Sequence, residues 1–123
     1  MKEKKTVLII DDDNRNIFAL KAVLKSKGFH VESATSSNEG ISLLRKNKNI
    51  GVVLLDMMMP DMDGYEALGL IRSDKDLVNT TVFAVTAQAM MGDREKCLEA
   101  GANEYVSKPI DVDVLLNLLN RYN

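Results

Sequence analysis

The 123-residue chain has no tryptophan, one cysteine, one histidine and two prolines. A lone Cys97 excludes an internal disulfide and suits a reducing, cytoplasmic setting. A lone His30 excludes a zinc site built from several His and Cys ligands. No apolar run approaches the roughly 18 residues of a membrane span. Behind the basic start MKEKK only Val7–Ile10 is continuously apolar, shorter than the core of a secretory signal, and Asp11–Asp13 closes it. Sixteen basic against eighteen acidic residues give a net charge of −2, so no broad electropositive footprint for nucleic acid is present. No G-x-G-x-x-G follows the first apolar run, which leaves dinucleotide binding unsupported. Repeats, low-complexity tracts and Pro/Ser-rich linkers are also missing, and a single domain over residues 1–123 is expected, with no output domain attached in this stretch.

What is present alternates in type. Val7–Ile10, Val52–Leu55 and Val82–Val85 are short continuous apolar runs, the pattern of strands buried on both faces. His30–Ala34 alternates and reads as an edge strand, and Glu104–Ser107 is a weaker fifth. Between them, Ile17, Leu20, Val23 and Leu24 share one helical face that should stop at Gly28. Ser36-x-x-Glu39 and Asp63-x-x-Glu66 have the form of helix starts, followed by Ile41 and Leu44 and by Leu68 and Ile71. A fourth helix is expected over Gln88–Ala100, ended by Gly101. A fifth begins at Asp111 with Val112, Leu115, Leu119 and Tyr122 inward. Five β-α units in series, joined by right-handed crossovers, make an α/β doubly wound domain with helices on both faces.

In such a sheet the functional crevice lies beyond the carboxyl ends of the strands, where strand order reverses. Asp11, Asp12 and Asp13 follow the first run, Asp56 the third, Thr86 the fourth, and Lys108 and Pro109 the fifth. If the order is 2-1-3-4-5, the acids of strands one and three meet at the switch point. Two carboxylates about 5 Å apart at an effective dielectric near 20 repel by about 3 kcal/mol, which calls for a compensating cation. All-oxygen ligands favour Mg²⁺ over Zn²⁺, and Lys108 adds positive charge. An aspartate ionised at neutral pH can attack phosphorus directly and form an aspartyl phosphate. That transfer needs mainly positioning and neutralisation of phosphoryl oxygens, which Mg²⁺, Lys108 and the Thr86 hydroxyl can supply. Asp56 is therefore the candidate phosphate acceptor. The methionines around it form a flexible apolar wall, with Met57, Met59 and Met62 read chiefly as packing and Met90 and Met91 as core or partner contacts.

At this point four pieces, VLIIDDD (Val7–Asp13), LLDMMMPDMDG (Leu54–Gly64), VTA (Val85–Ala87) and YVSKP (Tyr105–Pro109), resemble the receiver domain of bacterial two-component response regulators over essentially the whole chain. The run from Val85 onward is closest to receivers of hybrid histidine kinases. The resemblance implies a flavodoxin-like (βα)5 fold with sheet order 2-1-3-4-5. It also implies phosphorylation at Asp56, Asp12 as direct metal ligand, Asp11 acting partly through water, and the Met58 backbone carbonyl completing the protein's share of the Mg²⁺ shell (with Mn²⁺ as a substitute). Thr86 and Lys108 would contact the phosphoryl group, Tyr105 would follow Thr86 in switching, and Lys108–Pro109 would be cis. Asp13 is an extra acid, read as a helix cap with Thr86 a rival cap for the fourth helix. Cys97 is read as a small buried side chain.

The expected function is that of a signalling phosphoacceptor rather than an enzyme. A histidine kinase or histidine phosphotransfer protein would supply the phosphoryl group, since His30 is not in a helix. The fourth helix, fifth strand and fifth helix would then change their surface toward a downstream protein or a tethered domain. A homodimer through the fourth and fifth helices is compatible with this, and neither membrane insertion nor direct nucleic-acid binding is expected. Two rivals are a Mg²⁺-dependent phosphohydrolase with an aspartyl-phosphate intermediate, disfavoured by Asp-Met-Met where such enzymes carry Asp-x-Asp, and a receiver-like module that no longer takes phosphate.

Overall fold

The computed structural model describes residues 6–59, 63–87 and 92–122. Met62, Met90, Met91 and the start of the expected fourth helix at Gln88 lie outside the described residues.

Five strands and five helices alternate: β1 (Thr6–Ile10), α1 (Asn14–Ser26), β2 (His30–Ala34), α2 (Ser37–Lys46), β3 (Ile50–Asp56), α3 (Gly64–Ser73), β4 (Thr81–Thr86), α4 (Asp93–Glu99), β5 (Glu104–Ser107) and α5 (Val112–Arg121). All pairings are parallel and the order is β2-β1-β3-β4-β5, as the doubly wound reading requires. The sheet divides the core by strand alternation. Leu8, Ile10, Val53, Leu55, Val82 and Ala84 face α2, α3 and Cys97 of α4. Val7, Ile9, Val52, Leu54, Phe83, Val85 and Val106 face α1 and α5. Each fully buried Leu, Ile or Phe side chain contributes roughly 1.5–3 kcal/mol. β2 is an edge strand, but its burial does not alternate cleanly, because α1 and α2 both pack against it.

Helix ends follow their local chemistry. Asp13, Ser36, Asp63 and Asp111 cap α1, α2, α3 and α5, each carboxylate or hydroxyl accepting a first-turn backbone N–H. Asp13 is thus the cap it was read as. Gly28 takes φ +90° just past α1, where its N–H reaches the Lys25 carbonyl and that of Phe29 the Leu24 carbonyl. α4 is shorter than the periodicity suggests: its N-cap is Gly92 at φ +92°, with no side-chain cap. Thr86, six residues earlier, does not cap it. Tyr122 is the C-cap of α5 and still packs inward with Leu115 and Leu119, lying edge-on to Phe83 at 5.3 Å and donating its hydroxyl to Glu104.

One close approach positions the site. An added Cβ at Gly64 would come within 2.6 Å of the Met57 Cα, so only glycine lets the start of α3 rest on the turn after β3. Gly64→Ala must push that backbone apart and is expected to destabilise the protein by about 1–3 kcal/mol in urea titrations. An unchanged midpoint would show that the turn yields freely.

Candidate functional site

Strand register brings the acids together. Ile10 pairs with Leu55, so Asp11, one residue beyond β1, stands beside Asp56 at the end of β3. Asp56 in turn pairs with Val85, which places Thr86 one step further along β4, paired with Ser107 of β5. Asp56 and Thr86 are therefore the last residues of their strands rather than the first of their loops, because a neighbouring strand still bonds to them.

Asp11, Asp56 and Thr86 are only 3%, 5% and 4% exposed, whereas Asp12 is open to solvent. One carboxylate oxygen from each of Asp11, Asp12 and Asp56 lies within 4.8 Å of the others, and this trio is the one such cluster among the described residues. Lys108 reaches in from beyond β5, its Nζ 3.2 Å from Asp11 Oδ2 and 3.6 Å from Asp56 Oδ2. Its backbone N–H is fixed on the Thr86 carbonyl, and the Lys108–Pro109 peptide is cis.

The two buried acids are held differently. Asp11 Oδ1 accepts the Asp13 N–H at 2.9 Å, and Oδ2 accepts the Asn16 side-chain amide at 2.7 Å besides facing Lys108. Asp56 Oδ1 accepts the Met58 N–H at 3.0 Å, and among the described residues its Oδ2 has the longer approach of Lys108 at 3.6 Å. Burial pushes the Asp56 carboxyl above the ordinary carboxylate range; the Met58 N–H and Lys108 oppose this, while Asp11 and Asp12 add to it. Burial acts to lower the Lys108 ammonium, but Asp56 and Asp11 outweigh it and hold it above the ordinary lysine value.

Of the methionines, Met57 and Met59 are core residues, while Met58 is 52% exposed beside the acceptor. The apolar wall thus reduces to one side chain among the described residues. Tyr105, on β5, is half-buried against the α2–α4 side of the core, and its phenol is pushed up by burial first and by Asp93 and Cys97 second. Cys97 is buried, with the Tyr65 hydroxyl 3.6 Å from its sulfur. A groove of about 540 Å³ beside the site is lined by Asn16, Leu20, Val23, Lys108, Pro109 and Ile110 among others. Asn16 was not singled out from sequence; an amide one turn into α1, five residues after Asp11, was the available signal.

An acid whose folded pKa is raised opposes folding once it ionises, above the unfolded carboxylate pKa. Asp56→Asn should therefore melt at higher temperature than the native chain near pH 7. The difference should close as pH falls through the carboxylate range and Asp56 takes up its proton. Calorimetric melts across pH check this, and a lower melting temperature at pH 7 would contradict it.

Comparison with known proteins converges with this geometry. The family model described as the response regulator receiver domain matches residues 7–120. The signal transduction histidine-protein kinase BarA of Escherichia coli K12 is 40% identical over 117 residues, covering 95% of this chain but 13% of that protein. The polar-differentiation response regulator DivK of Brucella ovis is 30% identical, covering 96% of this chain and 95% of its own length. The crystal structure of the receiver domain of sensor histidine kinase PA1611 from Pseudomonas aeruginosa PAO1, which has a magnesium ion coordinated in its active-site cleft, superposes with a TM-score of 0.86. It is 30% identical and 97% of each chain is covered. This chain thus spans a small fraction of the kinase relative and nearly all of the free-standing one. With the parallel order β2-β1-β3-β4-β5 and the Asp11–Asp12–Asp56 cluster at its switch point, the chain belongs to the response regulator receiver domain family of two-component systems.

Proposed function

We propose that this receiver accepts a phosphoryl group on Asp56 in a Mg²⁺-dependent reaction and uses the modified state to control a partner. The observation that carries the reading is the unequal binding of the two buried acids. Asp11 has both oxygens engaged by Asp13, Asn16 and Lys108, whereas Asp56 keeps Oδ2 comparatively open. In the transfer, Asp56 Oδ2 attacks the phosphorus and the bond from phosphorus to the donor nitrogen or oxygen breaks, its electron pair leaving with the donor. Lys108 stands where it can take up charge on the phosphoryl oxygens, and the Thr86 hydroxyl adds a donor at the end of the next strand.

The three clustered carboxylates offer oxygen donors only, the set Mg²⁺ prefers, and exposed Asp12 gives a hydrated ion its way in. Asp11, Asp12, Asp56 and the Met58 backbone carbonyl would hold it. When bound, the ion supplies charge neutralisation for the acids and for the transferred group. Mn²⁺, also an oxygen-preferring cation, would substitute.

A histidine kinase or histidine phosphotransfer protein is the donor this reading calls for; His30, exposed on β2, is not placed to serve. The added charge of about −1.5 to −2 would draw Thr86 and Lys108 inward. Tyr105 would then repack, altering the surface of α4, β5 and α5 toward a partner or tethered domain. That surface is also where a homodimer would form. No helix among the described residues is long and apolar enough to cross a membrane, and a cytoplasmic setting fits the donor.

Incubation with acetyl phosphate and Mg²⁺ should give a single hydroxylamine-labile label per chain, lost in Asp56→Asn and prevented by EDTA. Rapid multiple turnover of small phosphoesters would favour a phosphohydrolase, and absence of label a phosphate-independent module. The exposed Met58 side chain cannot hold a proton of an attacking water well, so Met58→Asn should shorten the acyl-phosphate half-life severalfold. An unchanged or longer half-life, followed by radiolabel decay, would remove that role.

A further inference from the structure

Asn16 sits in the first turn of α1, half-buried, and directs its amide at the same Asp11 oxygen that Lys108 contacts. The amide is the nearer partner, at 2.7 Å against 3.2 Å. Lys108 is therefore divided between two acids and lies closer to Asp11 than to Asp56. To meet a phosphoryl group on Asp56 it must loosen its hold on Asp11. Even with a metal ion on its other lone pairs, a buried carboxylate losing the Lys108 ammonium loses part of its stabilisation, and the loss is largest where nothing else binds the lone pair that the ammonium leaves.

We propose that Asn16 is a positioning residue of the phosphoacceptor site: its amide keeps buried Asp11 oriented and hydrogen-bonded while Lys108 crosses to the phosphoryl group on Asp56. The inference rests on Asp56 being the acceptor. A neutral donor suits the task, since it satisfies Oδ2 without adding a second cation that would compete with Lys108 or with a metal ion. Asp13 completes the arrangement from the other side by fixing Oδ1 through its backbone. Asp11 thus has one partner on each oxygen that need not move, and the single mobile cation is released at low cost.

The test is a double-mutant cycle at saturating Mg²⁺, with acetyl phosphate as donor. Asn16→Leu keeps the shape and removes the donor; labelling of Asp56 should slow about tenfold, the scale of one buried hydrogen bond lost. Asn16→Gln, which retains the amide, should stay within about threefold of the native chain. In a Lys108→Ala background the Leu substitution should cost less than about twofold, because no lysine remains to be released. In the metal-free protein the Lys108 ammonium should become more ordered in Asn16→Leu by ¹⁵N relaxation, a change that a merely structural asparagine would not produce. Thermal melts accompany each variant, and Asn16→Ala replaces Asn16→Leu should the larger side chain loosen α1. Native labelling in Asn16→Leu, or a tenfold loss that persists without Lys108, overturns the role of Asn16 and leaves the acceptor assignment standing. A native chain that takes no label overturns both.

Discussion

Two buried carboxylates share one ammonium, and the rest of the domain accommodates that fact. Asp11 and Asp56 are nearly as inaccessible as the leucines behind them, yet Lys108 alone among the described residues bridges them. Burying one charge costs several kcal/mol unless it is paired, and two like charges sharing one partner cannot both be fully compensated. The deficit falls on Asp56. Among the described residues its partners are a single backbone N–H and a distant ammonium, and burial pushes its carboxyl upward against them. Such a group gains from any added cation, and the oxygen left without a close partner is the one free to form an acyl phosphate. The site's instability as bare carboxylates and its proposed chemistry have the same origin.

The sheet and its helices hold this unfavourable arrangement in place. Register between β1 and β3 sets Asp11 against Asp56, and register between β3 and β4 sets Thr86 beside them. Gly64 lets α3 press on the turn behind the acceptor, fixing the Met58 N–H that Asp56 accepts. Further from the site, Arg72 ties the end of α3 to the approach to β4 and to the loop before β5. Its guanidinium donates to the carbonyls of Val78, Thr80 and Gly101 and to the Asn103 side chain, which itself accepts the Val82 N–H. α4 hangs between that clamp and Gly92. Its contacts with α3 include the Tyr65 hydroxyl at Cys97 and Lys96 over the Tyr65 ring at 4.9 Å. Burial, with Cys97 next, pushes the Tyr65 phenol to about 12, so it remains neutral at physiological pH.

The strands, four of the helix caps and the acid cluster were legible because each depends on local chemistry or on period. Three apolar runs ending in carboxylates or a threonine, with a lysine after the weaker fifth strand, leave few alternatives once the crossovers are right-handed. Three features were not legible. α4 begins later than its apolar pattern suggests, since a glycine at positive φ starts it and no side chain caps it. Asn16 is marked only by its five-residue interval from Asp11, which no capping or periodicity rule singles out, and no spacing rule marks a guanidinium such as Arg72 that reaches Gly101 and Asn103. The methionine run was legible in part: Met57 and Met59 are packing, as read, but nothing in the composition says that Met58, in the turn after β3, is the one left outside.

The account stands on Asp56, not Asp11, being the carboxylate whose oxygen reacts, a choice made by which lone pairs the protein has already occupied. Borohydride reduction of the phosphorylated chain converts an aspartyl phosphate to homoserine, and tandem mass spectrometry then locates it. Homoserine at position 56 alone is the predicted result. Homoserine at position 11 or 12, or phosphate retained on a hydroxyl side chain, would contradict the account.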